Sequence, residues 1–519
     1  MLHQPTDSAA PVPLPAAIQA QLDDPFFRIV LERQPDALSL DAVIATLTEG
    51  GRSEFSAFVV GEQIGRSEIP VAQTDPNCGG PTPMRRLVLS FNGAHGPTNL
   101  VLDGNVFISV FMTPDGPVGE LEVMGWDDTH GTYNYYKTGA GTWRVRNRSS
   151  DLNTEPQSVL SDGCLACHVN GGPIMKEFTF PWNHWHSDLR FAARYLQPSG
   201  SDRWPIANSP LMTQLSDAFV LEEVIESSLK RFNQRTIDDQ IAGAGPVTVT
   251  GLKGLLDSLF QPTELNLGSS REMSGLDEGG MTMRNTQPMP IPDSFFVNVK
   301  QMRLIDLPVF LGQPRVSRVF TPGALAPSLA EYERVLAEFD IDTACMPGRD
   351  TLFTWFGPEP SEFDRSMVEQ LQARGIIDEQ LIAAALAVDV ETPLFSDQRA
   401  SLLAHVPDQV TAPDRASVAG AVRQAIVANI EAISEPLRSA AEEELLELLA
   451  DGDAVAALNA KVVALRDRVH SGLDLANPAQ REQMLKDLYG RLIDNRADFI
   501  SAPISARQAE FEGLFPLPN

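Results

Sequence analysis

Thr132-Tyr133-Asn134-Tyr135-Tyr136 and Thr142-Trp143-Arg144-Val145-Arg146, joined through Thr138-Gly139-Ala140-Gly141, form the stretch from which the fold is read. Both runs are rich in aromatic and β-branched residues, and the glycines between them supply a turn, so the pattern predicts a β-hairpin. The same texture continues upstream in Gly119-Glu120-Leu121-Glu122-Val123-Met124, Asn105-Val106-Phe107-Ile108-Ser109-Val110-Phe111 and Leu87-Val88-Leu89-Ser90-Phe91, with Pro114-Asp115-Gly116 as a further turn. Successive strands at this spacing predict an antiparallel β domain over 84–147, a meander of about five strands in one sheet.

On either side the period changes. Residues 1–83 read as a helical N-terminal segment, with short amphipathic helices over Asp23–Leu31 and Leu40–Leu47. Residues 148–320 follow the sheet and contain the chain's chemistry-bearing motifs. A helical face recurs from Leu211 to Ile241, and Ser294-Phe295-Phe296-Val297-Asn298-Val299 reads as an isolated strand. Residues 321–519 form a mainly helical acidic region that includes Leu381–Val388 and Ala441–Ala450. The fold class expected is α+β: an N-terminal antiparallel meander leading into a ligand-binding segment and then a large helical region.

The 519 residues carry 40 Lys and Arg against 69 Asp and Glu, a formal charge of −29, which disfavours nucleic acid and anionic membranes as partners. An acidic surface of this kind would steer toward a basic patch on a partner, and it also keeps a protein soluble. No apolar run reaches the roughly 18 residues of a membrane-spanning helix.

Immediately after the meander comes Cys164-Leu165-Ala166-Cys167-His168. A C-x-x-C-H pentapeptide places two thiols where each can bond a vinyl group of a porphyrin, with the adjacent imidazole available to the iron. Zinc would call for a second C-x-x-C, which the chain lacks, and a dithiol oxidoreductase for a βαβ context, where a meander stands instead. The pentapeptide resembles the attachment site of c-type cytochromes. That resemblance implies one covalent haem c per chain, bound through Cys164 and Cys167, with His168 as the proximal metal ligand and redox or haem-based chemistry outside the cytoplasm. Haem c is attached after export, whereas Met1-Leu2-His3-Gln4-Pro5 lacks the pattern of a leader. The expectation is therefore a periplasmic or otherwise exported protein whose leader has been removed. There the other two cysteines, Cys78 and Cys345, could pair as a disulfide or remain separate buried thiols.

The opposite side of the iron decides what such a haem does, and several residues compete for it. Met289 in Pro288-Met289-Pro290 has the methionine–proline context of the axial ligand in small cytochromes c; Met346 before Pro347 and Met175 are further candidates. Each has core filling as its alternative. His184 and His186 in Trp182-Asn183-His184-Trp185-His186-Ser187-Asp188 would share one face of an extended strand, where they could ligate or move a proton as catalytic groups. Gly171-Gly172-Pro173 would let backbone pass close to a flat ring. Trp126, Trp143, Trp182, Trp185 and Tyr133, Tyr135 and Tyr136 would pack against haem or relay electrons.

A sheet running into C-x-x-C-H also looks like the order in the β-rich cytochromes c′, although there the motif lies near the end of a much shorter chain. Di-haem peroxidases and rubber oxygenases have comparable or greater length but two such motifs. The leading expectation is a mono-haem electron-transfer protein working with a redox partner. The alternative is a haem-dependent oxygenase or peroxidase with an open distal site at His184 and His186.

Overall fold

In the computed structural model, the residues described are 12–49, 54–61, 85–91, 104–113, 116–153, 164–166, 168–173, 214–216, 218–269, 293–313, 319–320, 334, 356–450, 452–473, 477–484 and 486–487. The chain is α+β. Described residues through Phe232 gather in one compact unit and those from Asn233 onward in another.

The first unit is built on an antiparallel sheet of six strands in sequential order: β1 (Phe55–Gly61), β2 (Arg85–Phe91), β3 (Val106–Thr113), β4 (Gly116–Asp127), β5 (Thr132–Gly139) and β6 (Thr142–Arg148). The meander expected over 84–147 is present. It gains β1 from within the stretch read as helical, paired along β2 from Phe55 opposite Phe91 to Gly61 opposite Arg85.

One face of the sheet carries the core shared with the N-terminal segment. Leu87, Leu89, Phe91, Val106, Ile108, Val123, Tyr136 and Trp143 pack there with Phe26, Val30, Val43 and Leu47. Each large apolar side chain buried in this way contributes about 1.5–3 kcal/mol. Trp143 meets Phe26 edge-on at 5.0 Å, and its Nε1 donates to Ala37 O at 3.0 Å. The helix Leu40–Thr48 begins where the Ser39 hydroxyl accepts from Ala42 N.

A buried carboxylate fixes the N-terminal segment to the strands. Asp24 caps the turn that follows it, its Oδ1 accepting from Phe27 N at 3.0 Å with Pro25 between them. Its Oδ2 accepts from Asn134 Nδ2 at 2.8 Å and from the Tyr136 hydroxyl. Asp127 accepts from Asp23 N at 2.9 Å, so two adjacent aspartates make reciprocal use of β4 and β5.

The other face of the sheet is also covered. Trp126 lies 5.0 Å from Tyr133, and both rings meet Phe232 of the helix Ala218–Asp238, at 6.2 and 5.9 Å. The Arg231 guanidinium sits 4.9 Å over the Trp126 ring and donates to Asn105 Oδ1 at 2.8 Å. Residues Thr132 to Tyr136 are therefore all buried, odd positions toward one layer and even positions toward the other.

The second unit is mainly helical. Its helices Glu362–Ala373, Glu379–Ala387, Val418–Glu431, Ala440–Ala450 and Ala454–Leu473 are joined by a three-stranded sheet, Ile241–Ala242, Val247–Thr250 and Gln409–Ala412, and by the pair Leu265–Ser269 with Phe356–Pro360. The stretch Leu381–Ala387 is buried throughout. Arg399, 2% exposed, organises the loop that follows by donating to Thr392 O at 2.9 Å and Pro393 O at 3.1 Å. The segment read as a strand at 294–299 is instead a 3-10 turn over Asp293–Phe295 and a short helix over Val299–Met302. The Asn298 side chain accepts from Gln301 N, and this local cap outweighs the β propensity of Phe295-Phe296-Val297. No described helix is long and apolar enough to cross a membrane.

Burial pushes the Asp24 carboxyl above the ordinary aspartate value of 3.8, and the Asp127 charge adds to the rise against the hydrogen bonds from Tyr136, Asn134 and Phe27. A raised folded-state value means tighter proton binding in the folded chain. The contribution of Asp24 to stability is then fully present below 3.8 and is lost as pH rises through the folded value. Urea denaturation at a series of pH values should find the wild type, relative to Asp24→Asn, most stable at the acid end and progressively less so toward neutrality. A relative stability that climbs with pH would mean that the three hydrogen bonds outweigh burial.

Candidate functional site

The C-x-x-C-H segment enters the first unit as a 3-10 turn over Cys164–Ala166. Leu165 is 3% exposed and anchors the turn, which packs against β6. Two backbone bonds carry the turn on: His168 N donates to Cys164 O at 2.9 Å, and Gly171 N to His168 O at 2.8 Å. The first of them brings the backbone of His168 back to that of Cys164. Both are half-buried.

His168 is oriented by the backbone beyond it. Its Nδ1 lies 2.8 Å from Gly172 O. A carbonyl only accepts, so Nδ1 carries the hydrogen and the lone pair resides on Nε2. Metal-bound histidines usually hold their second ring nitrogen in this way. The Tyr135 ring lies against the imidazole, centroids 5.2 Å apart and planes at 49°.

Gly171 and Gly172 make the reversal that brings the carbonyl back. Gly171 has φ +75°, and a Cβ built on it would stand 2.8 Å from Ser149 Cβ and 3.0 Å from Leu152 Cδ1. A Cβ on Gly172 would meet Leu229 at 3.1 Å and Phe232 at 3.3 Å. The close approach for which these glycines leave room is therefore to the protein's own side chains. Gly171 O accepts two hydroxyl hydrogen bonds, from Tyr135 at 2.8 Å and from Ser149 Oγ at 2.5 Å. Ser149 Oγ in turn accepts from Tyr133 N at 3.0 Å, which ties the turn to β5.

No family model, curated protein or solved structure matches the chain.

What this turn can do follows from its donors. It offers a thiol at Cys164 and an imidazole at His168 whose Nδ1 hydrogen is directed to Gly172 O, the arrangement in which a histidine can ligate a metal through Nε2. Of the residues expected to complete the site, Cys167, His184, His186 and Met289 lie outside the described residues, as do Met175, Met346, Trp182, Trp185, Cys78 and Cys345. Among the described residues no group of three or more His, Cys, Asp and Glu side chains is arranged to hold a metal ion.

The aromatic residues divide between the two faces of the sheet. Tyr135, Tyr133 and Trp126 lie on the face of the motif, whereas Tyr136 and Trp143 belong to the core on the opposite face. Sequence reading did not single out Ser149 or the Gly172 carbonyl. The available signal was the Gly-Gly-Pro run so soon after His168, a reversal that returns backbone to the imidazole.

Gly171→Ala tests the turn without reference to any ligand. A Cβ at positive φ, with Ser149 in its way, should cost about 1–3 kcal/mol. Thermal unfolding should show a lowered midpoint for both variants, further lowered for Gly171→Ala than for Gly141→Ala, which shares the strain of φ +75° but whose added Cβ meets nothing within 4 Å.

Proposed function

We propose that this protein is an exported mono-haem c-type cytochrome that passes electrons to or from a redox partner. The observation that supports this most directly is His168, next to the second motif cysteine, with its Nδ1 hydrogen directed to Gly172 O at 2.8 Å. In this reading Cys164 and Cys167 hold the porphyrin by two thioether bonds and His168 Nε2 is the proximal ligand. Bound haem supplies a one-electron couple between ferrous and ferric iron.

The protein's own part is to attach, orient and shield. The carbonyl of Gly172 keeps His168 in one tautomer and one ring orientation and makes its Nε2 a better donor. The Tyr135 ring restricts the imidazole from the side of the sheet, and the aromatic layer of Trp126, Tyr133 and Phe232 excludes water beyond it. With a formal charge of −29, the surface favours a partner that docks through a basic patch.

Co-expression with a cytochrome c maturation system, followed by denaturing electrophoresis, tests this reading. Haem should remain with the polypeptide and give a pyridine haemochrome of one haem per chain. Cys164→Ser or Cys167→Ser alone should leave a single thioether and a shifted haemochrome band, and the double variant should lose covalent haem entirely. A wild-type chain that emerges from maturation without covalent haem would sink the proposal. Carbon monoxide addition to the reduced protein tests the electron-transfer role: a six-coordinate carrier should resist it, and ready binding would favour a catalytic haem.

A further inference from the structure

We infer that Tyr135 and Ser149 are positioning residues for the proximal ligand: through their shared hold on Gly171 O they set how strongly Gly172 O accepts from His168, and so tune the reduction potential of the bound haem. This rests on the haem c reading and specifies how the chain adjusts it.

The geometry that points to this is a relay of directed bonds. Tyr135 donates to Gly171 O at 2.8 Å and Ser149 to the same oxygen at 2.5 Å. Both hydroxyls are on buried residues, and both are remote in sequence, 36 and 22 residues from the glycine. One donor would satisfy a buried carbonyl; two from different directions fix the plane of the Gly171–Gly172 peptide. The next carbonyl along, Gly172 O, is the acceptor for His168 Nδ1. Leu229 and Phe232 lie against Gly172 on its other side, so the hydroxyl clamp and this apolar backing together hold the turn. Tyr135 acts twice, because its ring also lies against the imidazole.

The chemical consequence has a definite sign. A strong hydrogen bond from Nδ1 gives the imidazole partial imidazolate character, which makes Nε2 more electron-donating and favours ferric over ferrous iron. Loosening the Gly172 carbonyl weakens that bond and favours the ferrous state. No proton or electron passes through Tyr135 or Ser149 in this account; they act only through the position of the turn.

Tyr135→Phe keeps the ring against His168 and removes one donor, and Ser149→Ala removes the other. Each is prepared as the full holoprotein and compared with wild type by spectroelectrochemical titration and by the solvent exchange rate of the His168 Nδ1 hydrogen, followed by NMR in the ferrous form. Each variant should shift the ferrous-to-ferric ratio at fixed potential about three- to tenfold toward ferrous, equivalent to a midpoint higher by about 28–59 mV for a one-electron couple. The Nδ1 hydrogen should exchange faster in parallel, as its bond to Gly172 O weakens.

Tyr136→Phe is the control. Its hydroxyl donates to Asp24 on the opposite face, so it should lower thermal stability and leave the midpoint unmoved. Should Tyr135→Phe fail to fold, Ser149→Ala tests the same oxygen alone. Midpoints that stay fixed or fall in haem-loaded Tyr135→Phe and Ser149→Ala would overturn the clamp while leaving the haem reading intact. An equal rise in Tyr136→Phe would overturn it too, as a general loosening. Absence of covalent haem from the wild type would instead remove the reading on which the clamp rests.

Discussion

Strand β5 lies between two packed layers, and that constraint governs the first unit of the chain. A strand buried on one face needs only a hydrophobic alternation; a strand buried on both must match a different environment at every position. In Thr132–Tyr136 the even residues Asn134 and Tyr136 reach Asp24, while the odd residues Tyr133 and Tyr135 meet the helix at Phe232 and the motif at His168. Polar atoms appear in both layers because each tyrosine brings a hydroxyl that must find a partner once it is buried. Asp24 takes the hydroxyl of Tyr136 and Gly171 O that of Tyr135, while the Tyr133 hydroxyl accepts from Arg231 at 3.4 Å.

From this strand the site is assembled largely out of backbone. The imidazole of His168 is held by one carbonyl, that carbonyl is placed by a glycine turn, and the turn is held by two hydroxyls on the next carbonyl back. Backbone acceptors suit this role because they remain where the fold puts them, without the rotamer freedom of a side-chain acceptor. The irregular pairing of β5 with β6, where the register shifts between Tyr135 and Tyr136, falls next to the hydroxyl that makes this contact. The extra residue is Arg146 of β6, so β5 keeps its regular alternation through Tyr135 and Tyr136.

Much of this was legible in the sequence because it depends on local pattern. The strands β2 to β6 announce themselves by aromatic and β-branched alternation between Gly, Asp and Asn turns, and the helices of the second unit by their apolar spacing. Strand β1, Phe55–Gly61, was not anticipated, since its small residues Ser56, Ala57 and Gly61 dilute the signal that β2 then completes by pairing. At 294–299 a short apolar run was ambiguous between strand and turn, and the backbone turn from Phe296 N to Asp293 O with the Asn298 side-chain cap on Gln301 N decided it. The Cys164–His168 motif was plain from spacing. The partners of Gly171, brought in from 36 and 22 residues away, have no signature in the local sequence.

The alternation in β5 also restricts how this chain can vary in length. Tyr135 and Tyr136 are neighbours, about 3.3 Å apart along the strand, yet each serves a different layer. A change of length in the turn at Asp128–Gly131 that slipped β5 by one residue against β4 would exchange their faces, sending the hydroxyl meant for Asp24 toward Gly171 and the reverse. Substitution at a single position damages one layer; a change of length damages both together. The register of the β4–β5 hairpin is therefore a fixed measure against which the motif and the N-terminal segment are each set.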